Sequence, residues 1–333
     1  MRSKIVGTGM CVPDRVVTNH DLAKRMDTSD EWIRQRTGIV ERRWIEDGQS
    51  PADLAEGAAL RALEAAGLEA GDIDCILLST LSPQHDFPGT SFFLHERLGV
   101  GEIPCIDLRA QCSGFLYGLS FADAMICTGR FQRVLVLGCE VHSTGIEVTD
   151  RGRDLAVLFG DGAGAVVLQA NEDPEDTAGI LEVRLHAEGR HAKRLWLEAP
   201  SSAHHPVRVT HEMIDDGRVF PQMQGKFVFK HAVTRMPEVL RETLSAASVK
   251  LEDVDLFLFH QANLRINEFV ANQLEIPPAR CMNNIQRYGN CSAASIPMLL
   301  DEAVREGRIQ SGQLVSMTAF GSGFTWASAL VRW

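Results

Sequence analysis

The sequence predicts an α/β protein in which one strand-and-helix unit is used twice, the two copies stacked as layers. Three observations point there. Leu63 to Leu78 (LEAAGLEAGDIDCILL) recurs without a gap as Leu244 to Phe259 (LSAASVKLEDVDLFLF), 181 residues later (244 − 63). Leu63, Ala65, Ala66, Asp72, Asp74 and Leu77 return as Leu244, Ala246, Ala247, Asp253, Asp255 and Leu258. Each half then closes on the same pattern: Phe159-Gly160-Asp161-Gly162 before AGAVVL, and Phe320-Gly321-Ser322-Gly323 before FTWASALV. Finally, 333 residues exceed the length at which one hydrophobic core usually stops growing.

Within the repeat, the first residues read as the end of an amphipathic helix, followed by a short turn and a strand apolar on both faces. Such a strand belongs in a parallel or mixed sheet covered by helices. The FGDG and FGSG segments read as glycine turns leading into strands, which sets the halves at 1–175 and 176–333. The polar stretch from Arg190 to Gln222, with His204-His205-Pro206, fits neither copy. It is read either as a linker or as the wall of a substrate pocket.

Composition narrows the class. A hydrophobic content of 45% with 23% charged residues is that of a globular protein. A net charge of -11 leaves no domain with the basic excess that nucleic-acid phosphates demand. No apolar run approaches membrane-spanning length, and Met1 to Gly7 carries no apolar signal segment, so a cytoplasmic protein without a membrane partner is expected. The eight cysteines form no C-x-x-C pair and read as reduced thiols rather than a disulfide framework or zinc site. No metal-ligand spacing stands out; His204-His205 has no carboxylate or cysteine in helical register.

Three residues lie where α/β sheets gather their chemistry, at strand ends and helix starts. Cys112 follows the strand Cys105 to Leu108 and opens a helix rich in small residues. There the helix dipole and unpaired N–H groups are expected to favour the thiolate; the alternative is one more core cysteine. His260 ends the strand LFLFH, and the bland reading is a strand-end histidine bonded to a loop. Asn290, in Tyr288-Gly289-Asn290-Cys291-Ser292, precedes the helix SAASIPMLLDEAV, where an N-cap is the ordinary use of asparagine. The set of cysteine, histidine and asparagine at three such junctions is more specific than any one of them. FGDGAGAVVL imitates a phosphate loop, but its G-x-G-x-G spacing leads into a strand rather than a helix. A G-x-S-x-G elbow, a P-loop and H-E-x-x-H are all missing from the sequence.

With these residues placed, the chain resembles the β-ketoacyl-acyl carrier protein synthase III family of the thiolase-like superfamily. The resemblance runs through Thr28-Ser29-Asp30-Glu31-Trp32-Ile33, Arg36-Thr37-Gly38-Ile39, Cys112-Ser113-Gly114-Phe115, Asp150-Arg151-Gly152, FGDGAGA, His260-Gln261-Ala262-Asn263-Leu264-Arg265, Tyr288-Gly289-Asn290 and FGSGFTWASALV. It implies a duplicated five-layer α/β/α/β/α fold, usually a homodimer, in an initiating enzyme of fatty-acid biosynthesis that needs no cofactor beyond its CoA thioester substrate. By the same resemblance Cys112 takes an acyl group from acyl-CoA, and His260 and Asn290 assist decarboxylative condensation with malonyl-acyl carrier protein. The backbone N–H groups of Cys112 and Ser322 form the oxyanion hole. Thr28, Trp32, Arg36, Arg151, Gly225 and Asn263 line the CoA track, with Trp32 and Arg151 flanking the adenine. Phe87 reaches the acyl pocket across the dimer, and Lys230 and Arg265 receive the carrier protein.

Three departures qualify the resemblance. Ser322 replaces the middle glycine of the terminal turn; Arg109 and Gln111 replace small residues before Cys112; Asn272 and Gln273 stand where carrier-protein users often have lysines. They leave open a specialised homologue with another acyl donor or extender: a secondary-metabolite starter enzyme, a head-to-head condenser of acyl-CoA or an acyltransferase.

Overall fold

The computed structural model describes residues 2–333. Ten strands build two five-stranded sheets. The first holds β1 (Arg2–Cys11), β2 (Cys75–Ser79), β3 (Cys105–Leu108), β4 (Arg133–Glu140) and β5 (Gly162–Asn171), in the order β1-β5-β4-β2-β3. The second holds β6 (Gly179–Ala187), β7 (Leu256–Phe259), β8 (Cys281–Met282), β9 (Leu314–Gly321) and β10 (Thr325–Arg332), in the order β6-β10-β9-β7-β8. The order is the same with each number raised by five. So is the pairing sense: two antiparallel ladders, then two parallel ones. These are mixed sheets, as the apolar-on-both-faces strand required.

Six helices complete the repeat: α1 (Pro51–Ala66), α2 (Thr90–Leu98) and α3 (Gly114–Cys127), then α4 (Gly225–Ala246), α5 (Leu264–Gln273) and α6 (Ser295–Arg305). The offset seen in the sequence governs far more than the matched sixteen residues. Cys75, Gly114 and Arg133 open β2, α3 and β4, and their counterparts open at Leu256, Ser295 and Leu314, each 181 residues on (256 − 75, 295 − 114, 314 − 133).

α3 and α6 lie between the sheets and share one core with them. Leu116 and Leu119 of α3 and Leu299 and Leu300 of α6 pack with Val136, Val166, Met317 and Ala329 from both sheets. Truncating one of these leucines to alanine removes transfer energy and leaves a cavity, a cost of about 2–5 kcal/mol. α1 covers the outer face of the first sheet through Ala55, Ala58, Ala59 and Ala62, all fully buried. The small residues are needed on both sides of that contact, because a Cβ at Gly9 of β1 would stand 2.4 Å from the Ala58 carbonyl oxygen. α4 buries Met236, Val239 and Leu240 against the second sheet. The layers therefore run helix, sheet, helix, sheet, helix.

Two details differ from the sequence reading. β3 is an edge strand, and Ile106 on it is exposed rather than buried between helices. The Arg190–Gln222 stretch is more than a connection. It forms a hairpin in which Leu195–Trp196 pairs with Gln222–Met223, holds a short helix at His211–Asp215, and contributes Leu195, Trp196, Leu197, Pro200 and Pro221 to the wall of the largest cavity.

Candidate active site

Cys112 sits in a 3-10 turn, Gln111–Ser113, between the end of β3 and the start of α3. Gln111 takes φ 43°, a left-handed conformation that a side chain rarely adopts and that costs about 1–3 kcal/mol. The opposite wall of the turn is the FGSG segment at the end of β9. Gly321 comes so near that a Cβ there would lie 2.8 Å from that of Cys112. Thr325 Oγ1 donates to the Ala110 carbonyl and fixes the approach at 3.1 Å. The backbone N–H groups of Cys112 and Ser322 both point at the cysteine sulfur, as does the Ser292 hydroxyl.

The expectation of a resting thiolate is corrected here. Burial pushes the Cys112 thiol up to about 12, and the hydrogen bonds only soften that rise. A first turn of 3-10 geometry in a dry site gives less than the hydration a thiolate would lose. The resting group is a neutral thiol.

His260 follows β7 directly and is 2% exposed. Its Nδ1 lies 2.6 Å from Ser295 Oγ, on the first residue of α6. That oxygen also accepts from the Gln261 N–H, so its own proton is left for Nδ1, and Nε2 carries the ring proton. Nε2 is buried without a hydrogen-bond partner. Burial lowers the ring's pKa to about 3, with a smaller push from His142. His260 is a neutral imidazole with one unspent donor.

Asn290 does not cap a helix in the ordinary way. Its side-chain oxygen accepts from the Ser292 N–H at 2.8 Å, which turns the amide NH2 the other way. Its backbone is held by the FGDG turn: Asn290 N–H donates to Leu158 O at 2.8 Å, and Gly160 N–H donates to Asn290 O at 3.2 Å. A Cβ at Gly160 would collide with the Tyr288 carbonyl at 2.1 Å. The motif that imitates a phosphate loop is thus a dock for the asparagine.

One residue in this site escaped the sequence reading. His142 lies two positions beyond β4, on a strand (RVLVLGCE) as apolar as the one ending at His260. The intervening Glu140-Val141 hid the same signal. Asp161 accepts from the His142 and Ser143 backbone N–H groups, and the ring packs on Phe159 at 4.6 Å between centroids. His142 Nε2 is 3.0 Å from Ser292 Oγ, and burial lowers its pKa to about 3.

Cys112, His142, His260, Asn290, Ser292 and Ser322 all line one cavity of about 1110 Å³. Trp32, Arg36, Gly225 and Asn263 line the same space, as do Arg109 and Gln111. Asn263 caps α5, its side chain accepting from the Arg265 N–H. Thr28 and Arg151 lie outside the lining. The guanidinium groups on the Trp32 ring belong to Arg36 and Arg153, 4.7 and 4.8 Å from its centroid. Arg151 is instead held by Glu147 at 2.9 Å and by the Asp215 carbonyl at 2.7 Å. Ser322 donates its hydroxyl to the Leu195 carbonyl, tying the terminal turn to the 190–222 wall. Lys230 is solvent-exposed on α4, whereas Arg265 is engaged with Glu268 and with carbonyls of the helix Asp30–Thr37. Phe87 is 84% exposed, away from the cavity of its own chain.

The fold also gathers ligand types that are scattered in sequence. Glu188, His191 and His231 bring their donor atoms within 4.8 Å of one another. Glu188 is already bridged by Arg190 at 2.6 Å and Arg235 at 3.4 Å, so a cation here would sit among guanidinium groups.

Comparison with known proteins agrees with this geometry. Residues 106–189 match the family model of 3-oxoacyl-[acyl-carrier-protein (ACP)] synthase III, and residues 244–333 match that of its C-terminal part. The chain is 46% identical over 334 residues to beta-ketoacyl-[acyl-carrier-protein] synthase III of Alkalilimnicola ehrlichii, covering 99% of each. It is 46% identical to the enzyme of the same name from Xanthomonas campestris, covering 99% of this chain and 98% of that one. The crystal structure of 3-oxoacyl-[acyl-carrier-protein] synthase III from Aquifex aeolicus superposes with a TM-score of 0.90 at 43% identity, covering 99% of this chain and 100% of that one.

Proposed function

The chain belongs to the 3-oxoacyl-[acyl-carrier-protein] synthase III family, a family of condensing acyltransferases, and from that premise we propose how its own residues divide the reaction. Acyl-CoA loads Cys112, and malonyl-acyl carrier protein then extends the acyl group by decarboxylative condensation. The observation that carries this reading is a single dry cavity holding a thiol, two backbone donors aimed at its sulfur, and a neutral imidazole with an unused N–H.

In loading, the Cys112 sulfur attacks the thioester carbonyl and the oxygen gains negative charge. The N–H groups of Cys112 and Ser322 are set to receive that oxygen, and each such donor is worth about 2.7–4 kcal/mol. Expulsion of CoA leaves a new thioester that keeps the acyl group activated. In the second step the malonyl carboxylate leaves as CO2, and the electron pair becomes an enolate. What the enolate oxygen needs is hydrogen-bond donors, supplied by His260 Nε2–H and the Asn290 amide. A histidine held at about 3 has no proton to lose to the product and stays a donor throughout. The enolate carbon then attacks the acyl carbonyl, and Cys112 leaves.

Other features support the substrates. Trp32 and Arg36 at the mouth offer a flat, cationic surface for a nucleotide. Lys230, with Lys226 on the same helix turn, offers positive charge for an acidic carrier protein. The open edge of β3, together with exposed Phe87 and Phe92, is what a homodimer would cover, and it is the proposed interface. Among the described residues no helix is long and apolar enough to cross a membrane, which agrees with a cytoplasmic site of action.

The test is intact mass after mixing with acyl-CoA thioesters from acetyl to octanoyl, with Cys112→Ala as the control. A stable acyl adduct that vanishes in the variant is the expected result. Absence of any adduct on Cys112 would sink the mechanism, and rapid release of free acid would make the protein a hydrolase instead.

A further inference from the structure

Two buried histidines face the cavity, and the reaction as proposed above employs only His260. The two are held differently. His260 is bonded through Nδ1 to Ser295 and presents a free Nε2–H. His142 is bonded through Nε2 to Ser292, whose hydroxyl also reaches the Cys112 thiol. A continuous line therefore runs from the nucleophile's sulfur through one serine oxygen to an imidazole nitrogen.

The direction of the hydrogen bonds along this line follows from its neighbours. The two N–H groups that meet the Cys112 sulfur are donors and can accept nothing. The S–H of a neutral thiol then has the Ser292 oxygen as its acceptor. Ser292 has a single proton to give, and His142 Nε2 at 3.0 Å receives it. Ser292 is also held with unusual firmness. It takes φ 41°, strained for a serine, and its N–H is accepted by Asn290. It is the duplicate of Gln111, whose φ is 43° (292 − 111 gives the same 181). The strain of the nucleophile turn recurs where no nucleophile sits, at the residue that links Cys112 to His142.

We propose that Ser292 and His142 form a relay that removes the proton from Cys112 during acyl loading, leaving His260 and Asn290 to the decarboxylation. This rests on the reading of Cys112 as the acyl carrier. As the sulfur forms its bond to the thioester carbon, the S–H proton passes to Ser292 Oγ and the Ser292 proton passes to His142 Nε2. Collapse of the tetrahedral adduct expels CoA as a thiolate, which takes one proton back along the same line. The products are acyl-Cys112 and CoA thiol, with His142 and Ser292 restored. His142 acts through Ser292 and is a positioning and relay residue rather than a substrate contact.

His142→Gln keeps an acceptor for the Ser292 hydroxyl but cannot take a proton, and Ser292→Ala cuts the line at its middle. Each half-reaction is measured separately: acylation of Cys112 by the best acyl-CoA of the panel, then CO2 release from malonyl-CoA by enzyme already acylated. General-base loss predicts loading slowed by about 100-fold in both variants, with decarboxylation inside about threefold of wild type. The double variant should load no more slowly than either single one, because both remove the same relay. The proposal fails if either variant loads at the wild-type rate, if both half-reactions fall together, or if the two losses multiply. Wild-type enzyme that never gains acyl mass would instead refute the acyl-carrier reading itself.

Discussion

Ser295→Ala is the substitution that most directly tests how His260 is prepared. Ser295 Oγ lies 2.6 Å from His260 Nδ1, and both side chains are buried, so water does not replace the lost partner. The change leaves Nδ1 unsatisfied, which costs about 1–3 kcal/mol. The ring can recover part of that by moving its proton from Nε2 to Nδ1, where it has the carbonyl-rich strand end beside it. Each molecule that does so loses the enolate donor, a loss worth about 2.7–4 kcal/mol. Between these limits the decarboxylation rate should fall by about 10–1000-fold. Ser295→Thr keeps the hydroxyl and should recover most of the rate. Loading of Cys112 should stay near wild type, since Ser295 contacts His260 and Gln261 rather than the thiol. The assay is single-turnover CO2 release from a malonyl thioester on preloaded enzyme. Unchanged CO2 release in Ser295→Ala would refute the argument, as would an equal loss in loading.

Three further outcomes follow from the same geometry. Gly321→Ala puts a Cβ 2.9 Å from the Cys112 nitrogen, inside the oxyanion hole; loading should fall by about 100-fold, read from the rate of mass shift. Ser322→Gly keeps the backbone donor and frees only the link to Leu195, so loading should change by less than about threefold while protease sensitivity of the 190–222 segment rises. For pH, His142 and His260 are held at about 3, below the usual 6.5, so the unfolded chain binds more protons between those values. Their contribution is complete above 6.5 and declines as pH falls, by about 1.4 kcal/mol per unit for each ring. Glu140, raised to about 7, acts in the opposite sense between 4.5 and 7, but equally in wild type and variant. Urea unfolding of His260→Leu should therefore lose stability between pH 6 and 4 less steeply than wild type, and equal slopes would contradict the assignment.

Much of the architecture was legible because the duplication leaves its mark on hydrophobic pattern, and pattern is local. The displacement of 181 residues found between Leu63 and Leu244 carries over to β2, α3 and β4 and to the two strained turns at Gln111 and Ser292. Cys112, His260 and Asn290 could be singled out because each ends or opens an apolar element. The family resemblance, and with it the acyltransfer chemistry, was also readable from motifs that are short and contiguous.

Tertiary structure decided what depends on distance between segments. The sequence expected a thiolate from the helix start, but burial from both sheets' ends makes Cys112 a neutral thiol. It offered no partner for Ser292 or Ser295, because a hydroxyl's role is set by which ring nitrogen stands within 3 Å of it. His142 went unremarked for the same reason: its neighbours Asp161, Phe159 and Ser292 lie 17 to 150 positions away along the chain. Periodicity reports which face of an element is dry. It cannot report which polar atoms meet there, since hydrogen-bond direction and desolvation are properties of the assembled pocket.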